Sequence, residues 1–292
     1  MADLKESIKN GIVTMMREAA FRVPRDVENA LRRAYELEDN PVAKANLAAI
    51  IRNIELAREE KIPMCQDTGT PTFFIELGDE FPLRSEVRGI IEEAVRTATA
   101  EIPLRPNAVN PWSYENSGDN TGRFVPIIHM ELVPGDKMKV IYLAKGGGSE
   151  NTSKLYMLSP VLGLKGIKKA VIDAMLDAGP KPCPPIVVGV GVGGSADMAL
   201  KLAKKATFRR LDEPNPDPKI AEVERELYEK INSLGLGPMG LGGKTYVLAV
   251  KIEWAHKHPA SLPVGINTQC WAFRRSEAEF TKEGDMKLLV PP

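Results

Sequence analysis

Three consecutive glycines, Gly146, Gly147 and Gly148 in KGGGSEN (residues 145–151), directly follow an apolar run that reads as a strand. Glycine is costly to order, so a turn facing only solvent rarely needs three; the run predicts backbone brought close to a ligand. GVGVGG (189–194) satisfies G-x-G-x-x-G between a predicted strand and a predicted helix. No first half of a dinucleotide fold precedes it, however, and FRRLDEPNP follows where a strand ending in an acid is required. It is read as a tight strand-to-helix turn whose glycines allow close packing. GPMGLGGKT (237–245) imitates a phosphate loop, but Pro238 occupies the place of its first glycine, so it reads as a helix stop and loop.

Hydrophobic spacing places helices through residues 1–60. Pro24 opens one with Val27, Ala30, Leu31 and Ala34 on a face, and Asn40-Pro41 caps another carrying Leu47, Ile50, Ile51 and Ile54. Thr72 to Leu77 reads as a strand, Ser85 to Ala100 as a helix, and Val125 to Leu143 as a hairpin turning at Pro134-Gly135. A helix around Ile167 to Ala178, a strand from Pro185 to Val190, a helix from Ser195, a helix through Ile220 and Ile231, and a strand from Thr245 to Ile252 complete the pattern. DEPNPDPK (212–219) is a surface connection stiffened by proline. The expected class is a mixed α/β fold: a single domain over 1–292, whose helical segment 1–60 packs on a mixed sheet with glycine-rich turns at the site.

With 39 basic and 39 acidic residues and no long run of either sign, nothing points to nucleic acid or an anionic membrane as partner. The N-terminus lacks a basic region followed by an apolar core, and no stretch approaches the roughly 20 apolar residues of a membrane span, so a cytoplasmic location is expected. Three cysteines, Cys65, Cys183 and Cys270, are too few and too far apart for a disulfide framework.

Each of these cysteines sits in a turn-like context: MCQDTGT, KPCPPIV and INTQCWA. Taken singly, each reads as a small buried hydrophobe. No C-x-x-C exists, and a zinc site that included His256 and His258 of HKHP would have to assemble distant elements. Three thiolates from three separate loops suit instead an iron–sulfur cubane with one iron lacking a protein ligand. Such an iron is a Lewis acid able to take a hydroxyl or carboxylate, which is the help that dehydration of a hydroxy acid requires.

MCQDTGTPTFF, LRPNAVNP, KGGGSEN, GVGGSAD, GLGPMGLGGKT and HPASLPVGINTQCW together resemble the iron–sulfur class I fumarase family, specifically the α subunit of its two-subunit forms and of L(+)-tartrate dehydratase. The resemblance covers about residues 60–275. It implies that Cys65, Cys183 and Cys270 ligate a [4Fe-4S] cluster whose fourth iron is open to substrate. It implies that Gln66 and Asp67 contact a bound dicarboxylate and its hydroxyl, that Arg105 clamps a carboxylate, that Gly148 donates a backbone N–H, and that His258 orients substrate or passes a proton. Lys145 and Asn151 flank the glycine turn and are placed at the pocket; His129 and His256 are given structural roles. Longer members continue into a second domain, so the resemblance implies a separate β subunit that completes the site, an α2β2 heterotetramer, and little turnover by this chain alone. Hydration of fumarate to (S)-malate is the first expectation and dehydration of L(+)-tartrate to oxaloacetate the second. A zinc- or nucleotide-binding regulatory module is the alternative of another class.

Overall fold

The computed structural model describes residues 2–289; Met1 and residues 290–292, the end of KLLVPP, lie outside them. In chain order the elements are α1 (Ala2–Phe21), α2 (Arg25–Leu37), α3 (Pro41–Glu60), β1 (Thr70–Gly78), α4 (Val87–Glu101), β2 (Ile127–Val133), β3 (Met138–Lys145) and the single turn α5 (Gly147–Glu150). They continue as β4 (Lys154–Leu158), α6 (Gly163–Ala178), β5 (Ile186–Gly194), α7 (Ala196–Ala206), α8 (Pro218–Asn232), β6 (Val247–Lys257), β7 (Leu262–Gln269), β8 (Arg275–Phe280) and β9 (Met286–Leu288). Two compact units divide the chain: Met1–Arg25, Asn53–Gly147 and Ala272–Pro292 form one, Asp26–Arg52 and Gly148–Trp271 the other. The mixed α/β class read from the sequence is the observed one.

The first unit is built on a five-stranded sheet in the order β2-β1-β3-β8-β9. One face of it is strongly apolar, with Phe73 opposite Tyr142 and Ile75 opposite Val140. Onto that face α1 packs Ile8, Ile12, Met15 and Met16, and α4 packs Val87, Ile90, Ile91 and Ala94. The expected hairpin does not form. Residues 127–133 and 138–145 do turn at Pro134-Gly135, but β1 lies between them, parallel to β2 and antiparallel to β3. β1 is buried along most of its length, so it takes an inner place and splits the two arms apart.

The second unit has a four-stranded sheet in the order β4-β7-β5-β6. Val188 and Val190 of β5 and Val264 and Ile266 of β7 face Val171 and Met175 of α6 and Leu227 and Ile231 of α8. The opposite face receives α7, and here GVGVGG is explained. Its first glycines lie inside β5, not in a turn: a Cβ on Gly189 would stand 2.0 Å from the Ala203 carbonyl oxygen, and one on Gly191 equally close, at 2.0 Å, to that of Ala199. The motif therefore serves the close packing of helix on sheet that its glycines suggest, but inside a strand that runs through to Gly194 and not in a turn.

Asn40 caps α3 as expected, its Oδ1 accepting from the N–H groups of Val42 at 2.9 Å and Ala43 at 3.2 Å. The proline-rich stretch 212–219 is fixed by the buried Glu224, which accepts from Arg209 Nη1 at 2.7 Å, Asn215 Nδ2 at 3.1 Å and the Ile252 N–H at 2.8 Å. Beside it Lys251 Nζ donates to the carbonyls of Leu211 at 3.3 Å and Glu213 at 2.6 Å, and burial pulls its pKa below the ordinary lysine range. No helix of the described residues is long and apolar enough to cross a membrane.

Candidate active site

In the first unit the turn before β1 and the LRPN loop after α4 form one wall. Pro63, Cys65, Gln66, Thr68, Pro103 and Arg105 line an open cavity of about 410 Å³. Cys65 is half-buried, while Gln66 and Arg105 are exposed and can reach a ligand. The two loops are tied through backbone: Thr68 Oγ1 donates to the Arg105 carbonyl at 2.7 Å, and Asn120 Nδ2 donates to the same oxygen at 3.2 Å. The main chain of Arg105 is thereby held while its exposed side chain lines the cavity.

Asp67 sits beside this cavity and is gripped on both oxygens. Oδ1 accepts from the Gly69 N–H at 3.0 Å and from Asn107 Nδ2 at 3.4 Å, and Oδ2 accepts from the Gly147 N–H at 2.8 Å. Backbone N–H donors stabilise a carboxylate and fix its direction, so Asp67 is an oriented acceptor. Behind it the buried Arg274 donates from Nη1 to the Asp67 carbonyl, while its Nε has no hydrogen-bond partner among the described residues. Burial pushes the neighbouring Tyr142 phenol up, against the pull of Arg274, so Tyr142 remains neutral. Neither Arg274 nor Asn107 stands out in the sequence. Asn107 carries a detectable signal only in following Arg105 by two residues, and Arg274 has none, because its role depends on a partner 207 positions away.

The glycine turn is crowded by protein. A Cβ on Gly146 would stand 3.2 Å from Asp67 Oδ2 and 3.3 Å from Arg274 Nη2, and one on Gly147 would make an ordinary 3.8 Å contact with Asp67 Oδ2. In the second unit a Cβ on Gly148 would meet the Lys181 carbonyl oxygen at 2.9 Å. Gly146 and Gly148 thus each have a protein neighbour that a methyl group would crowd, a reason for glycine in addition to any approach of a ligand. Lys145 is buried and Asn151 exposed.

The other two cysteines lie in the second unit, on loops that meet. The Trp271 N–H, one residue after Cys270, donates to the Cys183 carbonyl at 3.4 Å. Cys183 is exposed and Cys270 half-buried, and no cysteine forms a disulfide. Cys183 has φ +55°, a left-handed conformation in which a side chain is disfavoured and glycine would be cheaper. A residue kept in such a place is one whose side chain is needed. GPMGLGG has a structural part in holding this loop: the Met239 N–H donates to the Pro184 carbonyl at 2.9 Å, and Gly240, at φ +71°, packs so close that its Cβ would be 2.7 Å from that of Pro180.

His258 is not brought to the cysteine loops. It lies exposed in the connection that leads into β7, accepting the Ala260 N–H on Nδ1 at 3.1 Å, whereas Cys270 follows the far end of that strand. Eight residues at about 3.3 Å each separate the two ends by roughly 26 Å. His258 therefore stands at the opposite end of β7 from Cys270. His256 pairs its ring with Trp254 at 5.4 Å and His129 with Phe74 at 4.5 Å, both structural contacts.

Among the described residues no group of three or more His, Cys, Asp or Glu side chains is arranged to hold a single metal ion. Within the second unit two thiols sit on adjoining turns, and within the first one thiol lines a cavity with Gln66 and Arg105; thiolate is the ligand type that an iron–sulfur cluster takes.

The fumarate hydratase (Fumerase) family matches residues 9–279. A Methanocaldococcus jannaschii protein provisionally named L(+)-tartrate dehydratase subunit alpha is 50% identical over 274 residues, which is 92% of this chain and 96% of the relative. The L(+)-tartrate dehydratase subunit alpha of Escherichia coli strain UTI89 is 38% identical over 255 residues, 87% of this chain and 84% of its own. That of Shigella sonnei is 37% identical over the same length, 255 residues.

Proposed function

The chain belongs to the fumarate hydratase family, and from that premise we propose that it is the α subunit of a hydro-lyase acting on a four-carbon dicarboxylate, interconverting fumarate and (S)-malate. The observation that carries the reading is a cavity lined by Cys65, Gln66 and Arg105 together, with the gripped carboxylate of Asp67 beside it. Cys65, Cys183 and Cys270 would hold a [4Fe-4S] cluster, which when bound supplies an open iron to polarise the substrate's C–O bond.

The remaining work falls to the chain's own groups. Arg105 offers a planar fork to one carboxylate, a geometry that a lysine does not reproduce. Gln66 donates to the substrate hydroxyl or carboxylate, and Gly148, exposed at the start of the second unit, offers its backbone N–H to the dicarboxylate. Asp67, held by N–H groups on both oxygens, takes one proton from the attacking water in hydration and returns it to the departing hydroxyl in dehydration, without having to reorient, while the proton on the adjacent carbon is exchanged with a group of the β subunit. His258, at the far end of β7 from Cys270, is kept as a group that orients substrate or passes a proton.

We further propose that a separate β subunit completes the site in an α2β2 heterotetramer in the cytoplasm, and that this chain alone turns over little. The second reading, dehydration of L(+)-tartrate to oxaloacetate, is favoured by the names of the relatives at 50% and 38% identity. The test is an oxygen-free assay of the reconstituted chain, with and without its β subunit, against fumarate, (S)-malate and L(+)-tartrate. Fumarate and malate turnover by the pair supports the first reading, and turnover of tartrate alone moves the assignment to the second. Turnover of none by the pair overturns the hydro-lyase reading, and full turnover by this chain alone overturns the need for a partner.

A further inference from the structure

β7 carries two buried carboxamides two residues apart, Asn267 and Gln269, and so on one face of the sheet. Each uses its donor end and leaves its carbonyl oxygen without a hydrogen-bond partner among the described residues. Asn267 Nδ2 donates to Ser153 Oγ at 2.8 Å, and Gln269 Nε2 reaches Cys270 Sγ at 3.9 Å.

Gln269 is the odder of the two. It is fully buried, and the sulfur is the one hydrogen-bond partner of its side chain among the described residues. A neutral thiol is a weak acceptor, and 3.9 Å is the long end of the range for sulfur. As a core residue beside a thiol, Gln269 is poorly suited, because an apolar side chain of similar size would fill the space without burying an orphaned oxygen. Beside a thiolate bound to iron the same amide is well placed: ligand sulfur is charged and accepts strongly, and ligands are generally oriented by such outer partners.

We propose that Gln269 is a positioning residue for the cluster: its amide N–H donates to the Cys270 sulfur, fixes that ligand and raises the reduction potential of the cluster. This rests on the reading that Cys65, Cys183 and Cys270 hold a cluster. Hydrogen bonds to ligand sulfur favour the more negative, reduced state, and losing one lowers the potential. No such role is legible in INTQC, since adjacent residues on a strand ordinarily point to opposite faces.

The experiment uses the full chain reconstituted without oxygen, as wild type, Gln269→Leu and Gln269→Glu. Iron and labile sulfide are measured in each, and the midpoint potential is taken from a redox titration followed by electron paramagnetic resonance. Gln269→Leu should keep its iron while its potential falls by about 59 mV, a tenfold shift in a one-electron equilibrium. Gln269→Glu has nearly the same shape but offers no N–H, and should fall further; it carries the test if the leucine variant fails to fold. Equal potentials in all three at equal iron content overturn the inference and leave the cluster reading standing. A wild-type chain that takes up neither iron nor sulfide overturns both.

Discussion

Alanine placed in turn at Gly146, Gly147 and Gly148 should have three different effects, because the three positions meet different neighbours. At Gly146 the new Cβ stands 3.2 Å from Asp67 Oδ2 and 3.3 Å from Arg274 Nη2, so one of the two must yield by a few tenths of an ångström. The carboxylate is the more exposed, and its movement strains the 2.8 Å bond from the Gly147 N–H. Partial to full loss of a hydrogen bond to a charged group costs about 1–3 kcal/mol, a fall of about 5- to 150-fold in kcat/KM if Asp67 handles the proton. Stability should hardly change, since alanine restricts the unfolded chain by about 0.4–1 kcal/mol. At Gly147 the nearest atom is 3.8 Å away, so alanine should behave as wild type. At Gly148 the obstacle is the Lys181 carbonyl at 2.9 Å, which is backbone and two residues from Cys183. Relieving that overlap costs about 1–3 kcal/mol and displaces a thiol, so melting temperature and bound iron should both drop. The assays are kcat/KM with the β subunit, iron content and thermal unfolding. A Gly147→Ala variant as impaired as its neighbours would refute crowding by protein as the reason for the glycines, and would return them to contact with a ligand.

Arg105→Lys should raise KM for the dicarboxylate at least tenfold while iron content stays at the wild-type value, because the fork is lost and the thiolates remain; equal loss of iron would make Arg105 a scaffold residue. At Cys183, φ +55° favours glycine, so Cys183→Gly should be more stable than Cys183→Ala by about 0.5–1.5 kcal/mol in urea unfolding, with neither retaining a cluster. Tyr246 is fully buried and donates to the Gly179 carbonyl at 2.7 Å, just before the loop that carries Cys183. Tyr246→Phe should cost about 1–2 kcal/mol and lower the melting temperature by a few degrees, and an unchanged melting curve would show that the bond contributes nothing.

The helices of residues 1–60 were legible because their signals are local: the 3.6-residue spacing of Val27, Leu31 and Ala34, and the cap at Asn40. The split of β2 from β3 was not, since a strand from 50 residues earlier occupies the gap and no turn signal announces it. GVGVGG was legible as close packing but misplaced as a turn, because the carbonyls of Ala199 and Ala203 that exclude its Cβ atoms lie on the following helix. At the site, the resemblance to the class I fumarase family picked out Gln66 and Arg105, which the fold gathers with Cys65 into one cavity. The sequence distance from His258 to Cys270 is spent along an extended strand, which spacing does not reveal, and Arg274, Asn107 and Gln269 were missed because their significance lies in what they touch.

The account stands on three thiols acting together, and the measurement that reaches this most directly is iron and acid-labile sulfide in the chain purified or reconstituted without oxygen, beside a Cys65→Ser control. About four of each per chain, with a marked loss in the control, is the predicted result. Zinc without sulfide, or no metal under any reconstitution, would contradict it and leave MCQDTG an ordinary turn.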